Sequence, residues 1–167
     1  MTSWDSFTGT TSTPADHLAD YLLTKLGRLE TLKLQKLLYY CNGWSLGLTG
    51  KPIFTDAIEA WKHGPVIPHI YRQHSREASV GSWPNGNHTS LSPVDRAVAD
   101  AVIKSYGALS GWALREMTHR ESPWLEAWEE SEYGKIRNVK ITPEAMDEYF
   151  TAEARNGRAQ QRAKAHL

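Results

Sequence analysis

Apolar residues recur along this chain at intervals of three and four, and hydroxyl-proline pairs mark where the runs begin. Thr13-Pro14, Ser92-Pro93, Ser122-Pro123 and Thr142-Pro143 each place a capping oxygen before a proline. The oxygen accepts an otherwise orphaned backbone N–H, and proline lacks an N–H that the first helical turn cannot pair. Thr13 with Asp16 and Ser92 with Asp95 add an acid at the capping-box position. After Pro14, the residues Leu18, Tyr21, Leu22 and Leu26 share a face that stops at Gly27. After Pro93, Ala97, Val98, Ala101, Val102 and Ser105 do so, ending near Gly107. After Pro143 the residues are Met146, Tyr149 and Phe150. The strongest helix is predicted over 31–49, with Leu34, Leu37, Leu38, Cys41, Ser45 and Leu48 in one stripe. A shorter one spans Gly111 to His119, with Leu114 and Met117 inward.

Residues 52–64 break this rhythm. Ile58, Ala60 and Lys62 alternate with Glu59, Trp61 and His63, the period of a short strand or hairpin. Pro65 and Pro68 bracket the entry to a further helix through His74. Residues 75–92 carry Gly81, Pro84 and Asn85-Gly86, which predict a hairpin tip or a mobile excursion. The expected fold is mainly α: a single helical domain of six to seven helices with two or three short strands. Three segments are expected, a mobile leader at 1–13, the domain at 14–153 and a basic tail at 154–167.

Charge changes this picture little. The 167 residues balance 19 Lys and Arg against 19 Asp and Glu, at pI 7.1, so no net field draws nucleic acid or an anionic membrane. Residues 154–167 hold Arg155, Arg158, Arg162 and Lys164 without an acid, readable as a binding arm or as a solvated helix end. One cysteine excludes an internal disulfide framework and multi-thiolate zinc. No apolar run approaches a membrane span, and the leader is too polar for a signal peptide, so a cytoplasmic protein is expected.

The seven histidines include His63, His69 and His74, but no HExxH, HxH or paired Cys/His spacing. No metal or cofactor is therefore expected. Cys41 lies in the apolar stripe, where a thiol is inert. Glu126, Glu129, Glu130 and Glu132 read as a solvated face. P-loop and GxGxxG motifs are absent, and the sequence carries no catalytic constellation.

What stands out is glycine beside large rings: Tyr39-Tyr40-Cys41-Asn42-Gly43-Trp44-Ser45-Leu46-Gly47, inside the strongest helix. Each glycine costs about 1 kcal/mol of helix propensity against alanine. Placed on one face, they admit another backbone or a large ring. The rings either fill the core or face outward as anchors for a protein partner.

The order Leu34-Gln35-Lys36-Leu37-Leu38-Tyr39-Tyr40, Gly43-Trp44, Gly50-Lys51-Pro52-Ile53-Phe54, Ile58-Glu59-Ala60-Trp61-Lys62-His63-Gly64-Pro65-Val66 and Tyr71-Arg72 resembles the Panacea domain of SocA-like antitoxins. Leu114 to His119 and Ser122-Pro123-Trp124 fit more loosely. His63 departs from the pattern, since such domains usually carry Tyr or a similar residue before Gly-Pro. The resemblance covers about residues 14–150 and implies a mainly helical domain with a small sheet. It also implies an antitoxin that neutralises a toxin, the product of an adjacent gene, by direct protein binding. One branch acts instead as an adaptor handing the toxin to an ATP-dependent protease. An enzyme reversing the toxin's modification and a DNA-binding autoregulator complete the alternatives. The expected partner-binding surface lies around Lys36, Tyr40, Trp61, His63, Tyr71 and Arg72. Self-association through the same rings stays open.

Overall fold

The computed structural model of the chain describes residues 11–165, with side chains as far as residue 157. Residues 1–10 of the expected leader, and the side chains of Arg158, Arg162 and Lys164, lie outside the described residues. Among the described residues the elements are α1 (Pro14–Leu26), β1 (Leu29–Glu30), α2 (Thr31–Thr49), β2 (Glu59–Trp61) and β3 (Gly64–Val66), then α3 (Pro68–His74) and β4 (Ser79–Val80). A 3-10 turn at His88–Ser90 precedes α4 (Pro93–Tyr106), α5 (Gly111–Thr118), α6 (Ser122–Glu130) and α7 (Pro143–Ala165). The fold is mainly α with two small antiparallel sheets, β1 with β4 and β2 with β3.

Two of the four hydroxyl-proline starts cap their helices as their chemistry demands. Ser92 Oγ accepts the Asp95 N–H at 3.0 Å, and Thr142 Oγ1 accepts that of Ala145 at 3.1 Å. At α1 the Asp16 carboxylate accepts the Thr13 N–H at 2.9 Å, while the Thr13 hydroxyl donates to Asp56. Ser122 departs from the expectation: the cap is Glu121, and Ser122 is the first helical residue.

Helix α2 is the axis of the molecule. Every residue from Leu34 to Gly43 is buried, so instead of a single buried stripe the helix is enclosed all round. The cause is its neighbours, because α7, α4, α5, α1 and β3 all pack on it. Leu48, placed in the stripe by periodicity, is 51% exposed, since α2 runs out of neighbours there. Gly43 and Gly47 face Phe150 of α7. A Cβ at Gly43 would lie 2.2 Å from the Phe150 ring, and one at Gly47 2.5 Å from the Phe150 carbonyl oxygen. The Phe150 ring meets Tyr39, Tyr40 and Trp44 edge-on at 5.8, 6.2 and 5.3 Å.

Two further expectations need correction. Helix α4 buries Val98, Ala99 and Val102 and packs Ile103 and Tyr106 inward, leaving Ala97, Ala101 and Ser105 exposed. The turn of the helix follows the larger apolar area of Ile103 and Tyr106 over that of the alanines. Residues 75–92 form neither a hairpin tip nor a free excursion. β4 pairs with β1 through Leu29↔Val80, and Trp83 is buried with its Nε1 donating to Asp16 Oδ1 at 2.9 Å. His88 contacts Asp20 at 2.6 Å, which ties the 3-10 turn to α1.

Candidate functional site

The polar residues of α2 fasten the chain that carries the site. Gln35 Oε1 accepts the Ile67 N–H at 2.9 Å, and Lys36 Nζ donates to the Pro65 carbonyl at 3.0 Å. Asn42 Oδ1 accepts the N–H groups of Ile53 and Phe54 at 2.8 and 3.0 Å. Each side chain pairs a buried backbone group that no helix or sheet supplies. The β2–β3 hairpin is thereby held on α2 in the register Glu59↔Val66, Ala60↔Pro65 and Trp61↔Gly64. Its two-residue tip is Lys62-His63. Gly64 has φ +108°, and a Cβ there would sit 2.5 Å from Lys36 Cε, so the tip needs glycine on both counts.

Helix α5 meets this tip. Arg115 Nε donates to His63 Nδ1 at 3.0 Å, while the Arg115 guanidinium lies 4.3 Å from the centre of the Trp112 ring. A second bond, to Glu116 at 2.6 Å, fixes the guanidinium further. Trp112 is 58% exposed, although a large ring normally finds cover. On the other side of the tip, Trp61 meets Tyr71 edge-on at 4.8 Å, and Tyr71 and Arg72 are exposed. The result is a continuous band of rings and cations from Trp112 through Arg115, His63, Lys62 and Trp61 to Tyr71. Burial lowers the His63 pKa, and the charges of Arg115, Lys62 and Lys36 lower it further, the sign of a positive local potential.

Of the six residues that the sequence singled out, four lie on or beside this band: Trp61, His63, Tyr71 and Arg72. Lys36 and Tyr40 do not, for both side chains have zero exposure. Lys36 supports the hairpin from beneath. Tyr40 stacks on Tyr106 at 4.5 Å, and its hydroxyl donates to Glu121 at 3.0 Å. A short motif does not reveal that its helix is enclosed on every side, as α2 is at Lys36 and Tyr40. Trp112 and Arg115 escaped singling out, although their spacing of three on a short helix places them on one face. Among the described residues, no group of three or more His, Cys, Asp or Glu could hold a metal ion. No described helix is long and apolar enough to cross a membrane.

Two groups, buried Lys36 and half-buried Glu121, make stability depend on pH in opposite directions. Burial, helped by the charge of Arg115, lowers the Lys36 pKa from 10.5 to about 7. Between those values the unfolded chain binds a proton that the folded chain does not, so stability rises with pH. Burial raises the Glu121 pKa from 4.5 to about 7, against the hydrogen bonds from Tyr40 and Tyr149. There the folded chain holds the extra proton, so stability falls as pH rises from 4.5 to 7. The urea midpoint is therefore expected to be lowest near pH 7. Lys36→Met should remove the alkaline rise, and Glu121→Gln the fall on the acid side. A flat wild-type profile from pH 5 to 10 would refute both assignments.

Comparison with known proteins matches residues 34–125 to the family model described as "Antitoxin SocA-like, Panacea domain". The protein "Antitoxin SocA" of Caulobacter vibrioides (strain NA1000 / CB15N) is 43% identical over 130 residues, covering 68% of this chain and 69% of that one. No solved structure matches. The matched span begins in α2 and includes the hairpin and α5, the elements that build the band.

Proposed function

Because the chain belongs to the SocA-like, Panacea domain antitoxin family, we propose that it is the antitoxin of a toxin–antitoxin system and neutralises its toxin by binding it directly. The observation that carries this reading is Trp112, a largely exposed indole held by a guanidinium at the edge of a cationic, aromatic band. Trp, Tyr and Arg dominate interface hot spots, because they bury much area while losing little conformational freedom. Binding needs no catalytic group. The two groups best suited to nucleophilic chemistry, Cys41 and Lys36, are both enclosed in the core, and burial raises the Cys41 pKa. The reading places the protein in the cytoplasm, with the product of the adjacent gene as its partner.

The test is co-expression with that product, followed by affinity measurement on the purified pair. Trp112→Ala is expected to weaken the complex about 30-fold, the roughly 2 kcal/mol of a hot spot, and to abolish growth rescue. Its exposed position predicts a melting temperature close to wild type. Unchanged affinity and rescue would remove the band from the interface. A fall in toxin level on co-expression would replace sequestration with delivery to a protease.

A further inference from the structure

Beside the hairpin tip lies a cleft of about 310 Å³ whose walls are Trp61 and Lys62 on one side and Trp128, Gly134, Ile136 and Arg137 on the other. Its aromatic wall is rigid. Trp128 stacks on Trp124 at 5.3 Å, Trp124 stacks on His119 at 4.0 Å, and Trp124 Nε1 donates to the Trp61 carbonyl at 2.8 Å. Gly134, Ile136 and Arg137, beside Trp128, belong to a segment whose backbone is costly to hold. Glu132, Tyr133 and Asn138 have φ of 53°, 59° and 63°, each costing on the order of 1 kcal/mol for a residue with a side chain. Buried Ser131 holds this segment in shape. Its carbonyl accepts the Ile136 N–H at 2.8 Å, and its hydroxyl accepts that of Gly134 at 2.9 Å. Core packing does not repay the cost, since Ile136 is 49% exposed at the cleft. Lys62 and Arg137 are exposed, and neither has an ion pair among the described residues. The acid of the hairpin, Glu59, is buried and accepts the Trp61 Nε1–H at 2.9 Å.

We propose that this cleft receives an acidic segment of the partner protein, which inserts a large apolar or aromatic side chain between Trp61 and Trp128 and sets carboxylates against Lys62 and Arg137. The inference rests on the direct-binding reading above and gives it a partner chemistry. Two observations select the occupant. The free charges at the cleft are cations, so an anionic segment complements them. Lys62 also belongs to the tip that carries His63, which Arg115 of α5 contacts, so one segment spans the cleft and reaches the Trp112 band. A protein fits better than a nucleic acid. The chain has no net positive charge, and polyanion binding draws its strength from neutralising many phosphates, whereas two cations line this cleft.

The experiment titrates the purified full chain with the intact adjacent-gene toxin, with overlapping synthetic peptides from that toxin, and with an oligouridylate. Tryptophan fluorescence and calorimetry are the readouts. Acidic peptides carrying a large apolar residue should bind. Lys62→Glu and Arg137→Glu should each weaken both peptide and toxin about tenfold, as expected for charges at an interface rim. Both positions are exposed, so folding is preserved, and Lys62→Arg should restore binding. If the toxin binds wild type and both charge reversals equally well, the cleft proposal falls while direct binding stands. If the toxin does not bind wild type at all, the direct-binding reading falls and takes the cleft proposal with it. Oligouridylate binding that outcompetes the peptides and is lost on charge reversal would overturn the proposal in favour of a nucleic-acid site.

Discussion

Gly47→Ala is expected to lower the melting temperature by roughly 5 °C, at a position where helix propensity alone argues for a gain. Alanine is favoured over glycine in a helix by about 1 kcal/mol. At Gly47, however, the added carbon would lie 2.5 Å from the Phe150 carbonyl oxygen and 2.7 Å from its carbonyl carbon. A backbone cannot rotate aside as a side chain does, so α7 must lift from α2. Overpacking of this kind costs about 1–3 kcal/mol and sometimes more, and each kcal/mol moves the midpoint of a chain this size by about 2–4 °C. Gly43→Ala should behave similarly, because the Phe150 ring it meets is enclosed by Tyr39, Tyr40 and Trp44. Gly157 supplies the control. It lies in α7 with open space where a Cβ would go, so Gly157→Ala should stabilise. If thermal melts show the same sign at Gly47 and Gly157, the close approach of the two helices is wrong.

Asp16→Ala should cost about 3–5 kcal/mol, the usual consequence of stripping one partner from a buried charged network. Its carboxylate has zero exposure and gathers four donors from three parts of the chain: the Thr13 N–H, His69 and Gln73 of α3, and Trp83. Burial alone would raise the Asp16 pKa, but the bonds from Trp83, Thr13, His69 and Gln73 outweigh it and the net shift is downward. The sign of the pH effect follows. The stability it supplies is present above the unfolded carboxylate pKa and is lost as pH falls through the lower folded value. Wild type should therefore lose more stability than Asp16→Ala as the solution is acidified. Hydrogen exchange should quicken around Trp83 in the variant, because α1 no longer holds that segment. Equal acid sensitivity of the two proteins would refute the assignment.

These two sites differ in how far the sequence announces them. The glycines of α2 could be read as a place of close approach, since glycine inside a strong helix costs stability and calls for a packing reason. That Phe150 fills the gap is a matter of tertiary pairing across most of the chain. Asp16 was visible only as a capping acid, because its further partners His69, Gln73 and Trp83 come from α3 and from residues with turn-like composition. Proline and glycine in 75–92 punctuate the backbone correctly, yet they say nothing of Trp83 being drawn inward. At the site, the hairpin was legible from the alternation around Ile58–His63. Trp112 and Arg115 were not, since exposure is a property of what fails to pack against a residue. The turn of α4 failed for a related reason: periodicity identifies two adjacent stripes, and only the neighbours choose between them.

The pairing of Phe150 with Gly43 and Gly47 also orders events during synthesis. At about 5–20 residues per second, α2 leaves the ribosome seconds before α7 exists to cover it. For that interval the nascent chain displays Tyr39, Tyr40 and Trp44 around an unfilled groove, a sticky surface for chaperones or for other nascent chains. Slowed translation through residues 50–142 would prolong this exposure, and a chain released before Phe150 would carry it permanently.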